Sequence, residues 1–495
     1  MQRSQPTRKQ AALLLMGGRV VGSLLTVVTA GVLARWWSEQ DYGEYRQVWL
    51  AFQAMSPFVT LGVPAGLTYF LPQIDRGHQK TAVAQAAVLL AGSGALISLV
   101  TVGWNFLLHG TDGGGGLPTA AAFALYPIFA LPLLVADTWL VAVQRSRTAA
   151  WFTIQTAVVQ AAAAIIPVVS GCGVAAVLGS VTLATFVRFL IVLSLYRSEY
   201  RGVAAAWNPD FPRQLLRYTL PLGLAGVVGS FNLLLDKLFV AWWQPPAEFA
   251  IYSNGATELP VIGIVAGSVA AVLAPEFVRL FQSGRHRDMI DLWSSSIRTT
   301  AILVFPLTAA MLLFAADAVS ILYSEKYLAS VPVFRIYLLI LPLRITVHGS
   351  LLLAAGHSRT VFASSLVGLA LAAVLLAVLV PVCGMPGAAA AMVLSVYGVA
   401  GMLLFCTSKL VGVSWHRVFP WRDLALTLVA SAAGAAAAAL VTQHLPAGWL
   451  RLIVGLGTTG FGCLAIHACV RRSRSDLLAV VAAVTGRSAG RCGAA

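Results

Sequence analysis

The stretch VVGSLLTVVTAGVLARWW (Val20–Trp37) is answered about two hundred residues later by VVGSFNLLLDKLFVAWW (Val227–Trp243). Both open on Val-Val-Gly-Ser, run mostly apolar for about the depth of a bilayer and stop at a Trp pair, where indole suits the headgroup level. Seventeen residues beyond each Gly-Ser come related turns, Asp41-Tyr42-Gly43-Glu44-Tyr45 and Glu248-Phe249-Ala250-Ile251-Tyr252. The Trp pairs, Trp36-Trp37 and Trp242-Trp243, are one residue out of register. A second echo pairs Gly171-Cys172-Gly173-Val174 with Val382-Cys383-Gly384-Met385, each opening an Ala-rich helix. The shared offset, just over 200 residues, reads as an internal duplication.

Composition says what is duplicated. Of 495 residues, 59% are hydrophobic and 10% charged, and the mean hydropathy is +0.83. Soluble chains carry roughly 25% charged residues. A soluble enzyme domain, a secreted disulfide scaffold and a disordered tail are therefore excluded. A spanning helix needs about 20 apolar residues, and the chain offers about fourteen such stretches. They lie near 11–34, 46–71, 82–108, 118–143, 150–170, 173–196, 216–242, 249–280, 296–322, 331–355, 361–381, 387–408, 423–443 and 448–470. The expected fold is an all-α polytopic membrane protein with two six-helix lobes, 1–208 and 209–410. Residues 411–495 add a helix pair and a basic cytoplasmic tail. Six being even, the lobes share an orientation, a parallel repeat about the membrane normal.

The net charge is +15, from 33 Lys and Arg against 18 Asp and Glu. With the N-terminal Arg3, Arg8 and Lys9 inside, Arg76, Lys80, Arg145, Arg147, Arg197, Arg201, Arg213 and Arg217 also fall inside, as do Arg285, Arg359, Lys409 and the arginines from Arg471 onward. The outer connections hold almost none. That asymmetry obeys the positive-inside rule, so both termini are expected in the cytoplasm and nucleic acid is not an expected partner. The first apolar stretch is too long for a signal peptide and reads as the first span. The six cysteines show no metal-ligand spacing and read as small buried hydrophobes. The run from Arg197 to Arg217 reads as an interfacial linker between lobes.

An ionisable residue at mid-membrane costs at least about 2.5 kcal/mol and marks function by default. Arg19 stands above a stripe of Ser23, Thr26 and Ala30 in the first span. Asp236 and Lys237 lie in the seventh; consecutive residues diverge by about 100°, so they are not expected to be simply a local pair: either both line a wide cavity or each bonds a different helix. Asn254, Thr257 and Glu258 share a face of the eighth span, with Glu258 the expected partner of Lys237. In the tenth span Arg344 aligns with Tyr337 and His348, while Arg335 snorkels outward. Asp137, Arg188 and Asp317 sit nearer the span ends, as gate or lobe contacts or as structural pairs. The mid-depth set is thus Arg19, Lys237 and Arg344 against Asp236 and Glu258, with His348 and Asn254 alongside. Such a cavity fits an anionic ligand such as a pyrophosphate, clamped by Arg. The acids alternatively form ion pairs or carry a coupling ion, H+ or Na+. No metal site, resident cofactor, catalytic triad or nucleotide loop is visible, so no covalent chemistry is expected.

Leu33-Ala34-Arg35 through Tyr42-Gly43-Glu44-Tyr45, then Leu61-Gly62-Val63-Pro64 and Tyr69-Phe70-Leu71-Pro72, resemble the opening of bacterial polysaccharide flippases. Those belong to the multidrug/oligosaccharidyl-lipid/polysaccharide exporter superfamily. Leu216-Arg217-Tyr218, Leu220-Pro221, Asp236-Lys237, Pro275, Tyr323 to Tyr327 and Ala355-Gly356-His357-Ser358-Arg359 extend the resemblance over nearly the whole chain. Ser324-Glu325-Lys326 departs from it where relatives often carry Gly. The resemblance implies two bundles around a cationic cavity, alternating access, and an undecaprenyl-pyrophosphate-linked oligosaccharide as cargo. It places the protein in the bacterial inner membrane, beside a polysaccharide polymerase and other assembly proteins. Alternatives in the same superfamily are a lipid II flippase and a cation-coupled multidrug exporter. A membrane-embedded polymerase or ligase fits less well, since those present a sizeable outer loop.

Overall fold

In a computed structural model the described residues, 8–109, 116–143, 145–346 and 348–469, form helices and turns and no strand. The chain divides into two compact units, Met1–Ala250 and Ile251–Ala495. The first holds α1 (Arg8–Trp36), α2 (Glu39–Thr60), α3 (Val63–Phe70), α4 (Arg76–His109), α5 (Gly116–Ala124), α6 (Tyr126–Ala142), α7 (Ser146–Val169), α8 (Val174–Glu199) and α9 (Phe211–Trp243). Helix α10 (Pro246–Gly255) straddles the boundary. The second unit continues with α11 (Pro260–Gln282), α12 (His286–Leu313), α13 (Ala315–Leu322), α14 (Val331–Leu338), α15 (Leu341–Arg344) and α16 (His348–Ala354). It ends with α17 (Ser358–Val411), α18 (Trp415–Val418), α19 (Trp421–Thr442) and α20 (Trp449–Cys469).

Among the described residues eleven helices are long and apolar enough to cross a bilayer, or twelve if the bent pair α2–α3 is one span. Fourteen were expected, and two further features bear on that count. Helix α1 contains a shorter apolar stretch, Val20–Trp36, and the 54-residue α17 is two spans. Gly384, at φ 60° and ψ −139° between Pro381 and Pro386, turns the chain back on itself. A Cβ on Gly398 would lie 2.8 Å from Leu371, so the halves of α17 run antiparallel. The turn falls in the second copy of the Cys-Gly echo.

Several stretches expected as single spans are interrupted instead. Pro occupies the first turn of α3 (Pro64), α6 (Pro127), α11 (Pro260), α14 (Pro332) and α15 (Pro342). Proline fits a helix start, where its missing N–H is no loss, and at α11 it also pushes its predecessor Leu259 out of the α region. At the α2–α3 break Leu61 is left-handed, at φ 43°, and Gly62 follows at φ 71°. The two segments bend by 42°. This elbow rests on Gly223 of α9, where a Cβ would come within 2.6 Å of Leu61 Cα. One turn beyond, Tyr69 stacks on Tyr218 with centroids 4.8 Å apart. The core of the first unit is the seam of α3, α4 and α6, with Leu67, Ala86, Leu90, Leu131, Val135 and Trp139 buried.

The last helix pair is fastened near both ends of one partner. Arg298 of α12 reaches Asp423 at 3.9 Å, and Ser294 Oγ donates to the Val418 carbonyl at 3.2 Å. Beyond the far end of α12, Asp317 Oδ1 accepts from the Gly448 amide at 2.8 Å and faces Arg451 at 3.9 Å. Between them Phe314 packs with Ala310, Ala438, Leu452 and Leu456. The five described cysteines are free thiols.

Candidate functional site

Helix α10 ends at Gly255, packed so close to Ser330 and Val333 that a Cβ there would come within 2.7 Å of both. The next helix cannot begin before Pro260, whose predecessor Leu259 is extended at φ −69°, ψ 116°. Residues 256–259 are therefore unwound within a stretch otherwise apolar enough to span. Thr257 partly repairs the end of α10, its hydroxyl donating to the Ser253 carbonyl at 2.9 Å. Glu258 belongs to this unwound segment, and Asn254 and Ser253 are buried just before it.

Facing Glu258 is a second interrupted span. Pro342 opens the single turn α15, whose last residue is Arg344. Arg344 Nε donates to Glu258 Oε2 at 3.0 Å, and its Nη2 donates to Oε1. The pair is a planar two-bond fork, with the Arg344 and Glu258 side chains 35% and 32% exposed. Irregular backbone at membrane depth is tolerated where it lines a polar path or is buried in protein, and broken helices commonly frame transported groups. The partial exposure of both partners places this fork on an open surface rather than in a sealed core.

This corrects two expectations. Glu258 was expected to partner Lys237, on the reading of a continuous eighth helix; that helix ends three residues earlier, and the carboxylate is taken by Arg344. Asp236 and Lys237 were not expected to be simply a local pair, yet Lys237 Nζ lies 3.8 Å from Asp236 Oδ2. The diverging Cβ directions hold, but the four-carbon stem of Lys folds back to a buried carboxylate. Asn232 donates to the Val228 carbonyl at 3.0 Å on the same helix.

Arg188 meets Asp137 at 3.8 Å, joining α8 to α6, and lies 6.0 Å from the Phe152 ring centroid. Asp317 serves the α20 attachment described above. Arg335 is exposed, as expected, and donates to the Leu312 carbonyl at 3.1 Å. Arg19 falls on α1 and His348 opens α16; both side chains lie outside the described set.

Sequence reasoning missed a cluster at the Arg-rich side of the first unit. There Glu199 takes Arg76 and Arg145, each at 2.5 Å. Asp75 nearby accepts from His78 and from the amides of Gly77 and His78, which hold its carboxyl below the ordinary range, the His78 side-chain bond foremost. The run of basic residues was legible, but its one acidic partner, 123 residues from Arg76, was not.

The fold, with its interrupted spans, is like that of solved transporters of the multidrug/oligosaccharidyl-lipid/polysaccharide exporter type. The model of the polysaccharide biosynthesis protein family matches residues 32–332, and the chain belongs to that family. A probable lipid II flippase MurJ of Rhizobium meliloti (strain 1021) is 27% identical over 113 residues. Its counterpart in Rhizobium tropici is 26% identical over a stretch of the same length. Each match spans 23% of this chain and 21% of the relative. Among solved structures, lipid II flippase MurJ in an inward closed conformation superposes with a TM-score of 0.67 at 13% identity, covering 92% of this chain and 100% of that one. An outward-facing multidrug resistance MATE family transporter gives 0.60 at 13% identity, covering 82% of this chain and 97% of that one.

Proposed function

We propose that this protein flips undecaprenyl-pyrophosphate-linked oligosaccharide repeat units from the inner to the outer leaflet of a bacterial inner membrane, by alternating access, for surface polysaccharide assembly. The observation that carries the reading is the Arg344–Glu258 fork between two interrupted spans, in a chain of the polysaccharide biosynthesis family. A guanidinium binds carboxylate and phosphate with the same two-pronged geometry. Pyrophosphate displaces the Glu258 carboxylate from Arg344, and Glu258 then takes up H+ or Na+ so that no bare charge is left. Release of the cargo restores the fork and expels the ion. Lys237, Arg19, His348 and Asn254 supply further donors to the pyrophosphate or to acidic sugars. The prenyl chain stays in lipid, both termini stay in the cytoplasm, and no covalent bond changes. A polysaccharide polymerase then receives the cargo.

A lipid II flippase is the second reading, favoured by the 113-residue match to the MurJ proteins; it shares the cargo class. The two are separated by deleting the gene and measuring surface polysaccharide and lipid-linked oligosaccharide together. Loss of the polymer with accumulation of its lipid-linked precursor is the expected outcome. An unchanged polymer alongside accumulated lipid II would overturn the proposal in favour of the second reading.

A further inference from the structure

Between α4, α6 and α8 the first unit encloses a cavity of about 230 Å³. Small residues make the room: Ala84, Ala87 and Ala91 lie on one face of α4 at helical spacing, opposite Pro132 and Val192. The lining is almost wholly apolar, and Val88 on its rim is exposed. An exposed apolar side chain on a spanning helix faces hydrocarbon, so the hollow opens to lipid tails.

Its floor is polar on the far side only. Tyr196 lines the hollow and donates its hydroxyl to the Lys80 carbonyl at 2.6 Å. Trp139 lines it as well and donates Nε1 to the Tyr200 hydroxyl at 3.0 Å. One turn along α8 from Tyr196, about 4.5 Å of rise, stands Glu199 with its two arginines. That carboxylate is 11% exposed, whereas Arg76 and Arg145 are 62% and 52% exposed. Within this trio two cations against one anion leave a net charge of +1, and Lys80 at the same end of α4 offsets the carboxylate of Asp75. Each guanidinium carries five donors, and one carboxylate cannot occupy ten. The apolar slot thus lies one helical turn from a half-exposed cationic pair with donors to spare.

We propose that this is a binding site for an anionic glycerophospholipid, one acyl chain lying in the hollow and the phosphate held by Arg76 and Arg145. Charge complementarity selects an anionic headgroup over a zwitterionic one, and anionic lipid is enriched on the cytoplasmic face where the positive-inside rule puts these arginines. All three walls belong to one compact unit, so the hollow needs no rearrangement to exist. That suits a resident lipid better than a cargo, whose site must open and close. The inference goes beyond the transport reading and does not depend on which glycan is carried.

The test is native mass spectrometry of the full-length protein in detergent, titrated with phosphatidylglycerol and with phosphatidylcholine of identical chains. Phosphatidylglycerol is expected to be retained in preference. Arg76→Gln with Arg145→Gln should reduce that preference roughly tenfold, on the scale of one or two cations beside an anionic headgroup. Glu199→Gln should raise it, and Ala87→Trp, which fills the hollow, should lower retention of both lipids. Equal retention of the two lipids by the unaltered protein overturns the proposal, as does a preference that survives loss of both arginines. Displacement of phosphatidylglycerol by undecaprenyl phosphate overturns it too, in favour of a cargo-tail site. Should the double variant fail to fold, the other two decide: no gain from Glu199→Gln and no loss from Ala87→Trp refute the site.

Discussion

Replacing Arg344 by Ala separates a working clamp from a structural brace. The fork to Glu258 has one bond at 3.0 Å and a second from Nη2, with both side chains about one-third exposed. Breaking a fully buried pair costs about 3–5 kcal/mol, and breaking an exposed one below about 1 kcal/mol. At this exposure the stability loss should be roughly 1–2 kcal/mol, too little to abolish folding of a domain. The transport loss should be larger. If pyrophosphate takes over both prongs, losing a charge-assisted interaction of about 1.5–3 kcal/mol slows flipping roughly 10- to 150-fold. Arg344→Lys keeps the charge but not the fork and should fall between. The assay is translocation of a pyrophosphate-linked fluorescent oligosaccharide in proteoliposomes, with thermal unfolding followed on the same preparations. The double variant Arg344→Ala with Glu258→Ala supplies the decisive arm. Restored flipping there would mean that the pair only braces two helices, and transport by Arg344→Ala within twofold of the parent protein would refute the clamp outright.

Three further outcomes follow from contacts elsewhere. Gly223→Ala drives a methyl into the Leu61 backbone and should destabilise the first unit by about 1–3 kcal/mol, whereas Gly226→Ala, with nothing within 4 Å, should be neutral or slightly stabilising; paired thermal melts decide. Asp317→Ala removes the acceptor for the Gly448 amide and the partner of Arg451, leaving that amide unsatisfied at a cost of about 1–3 kcal/mol. Proteolysis in the Gln443–Gly448 connection should then accelerate, and an unchanged cleavage rate would count against the attachment. Asp75 has its carboxyl held below the usual value near 3.9, so its bonds to His78 and Gly77 stabilise the start of α4 at neutral pH. That contribution is complete above the unfolded value and disappears as pH falls through the lower, folded one. Amide exchange at Gly77 and His78 should quicken only below that range, and exchange that rises already at pH 5 would contradict it.

How much of this was legible in the sequence depends on range. The spans and the turn at Gly384 were readable because apolar runs and Pro-flanked Gly act within a few residues of themselves. The interruptions had local signals too: Pro260 and Pro342 sit at positions that start helices, yet hydropathy averaged over twenty residues smooths across them. The left-handed Leu61 gave no such sign, being held there by Gly223 of a distant helix. Partner choice was the least readable. Glu258 and Arg344 are 86 residues apart, and a carboxylate expected on a regular helix face was matched to the cation that regular geometry offered. Unwinding at 256–259 changed the face and therefore the partner.

The fastening of α19 and α20 to α12 and α13 also has a consequence in time. Asp317 waits for Gly448, which is 131 residues further along the chain. At ordinary elongation speeds that is a delay of roughly 7–25 seconds. Through that interval a newly inserted α12–α13 segment displays Arg298 and Asp317 with their eventual partners still inside the ribosome or untranslated. A chain truncated before Gly448 would therefore carry Asp317 without the amide and the guanidinium that it meets in the folded protein.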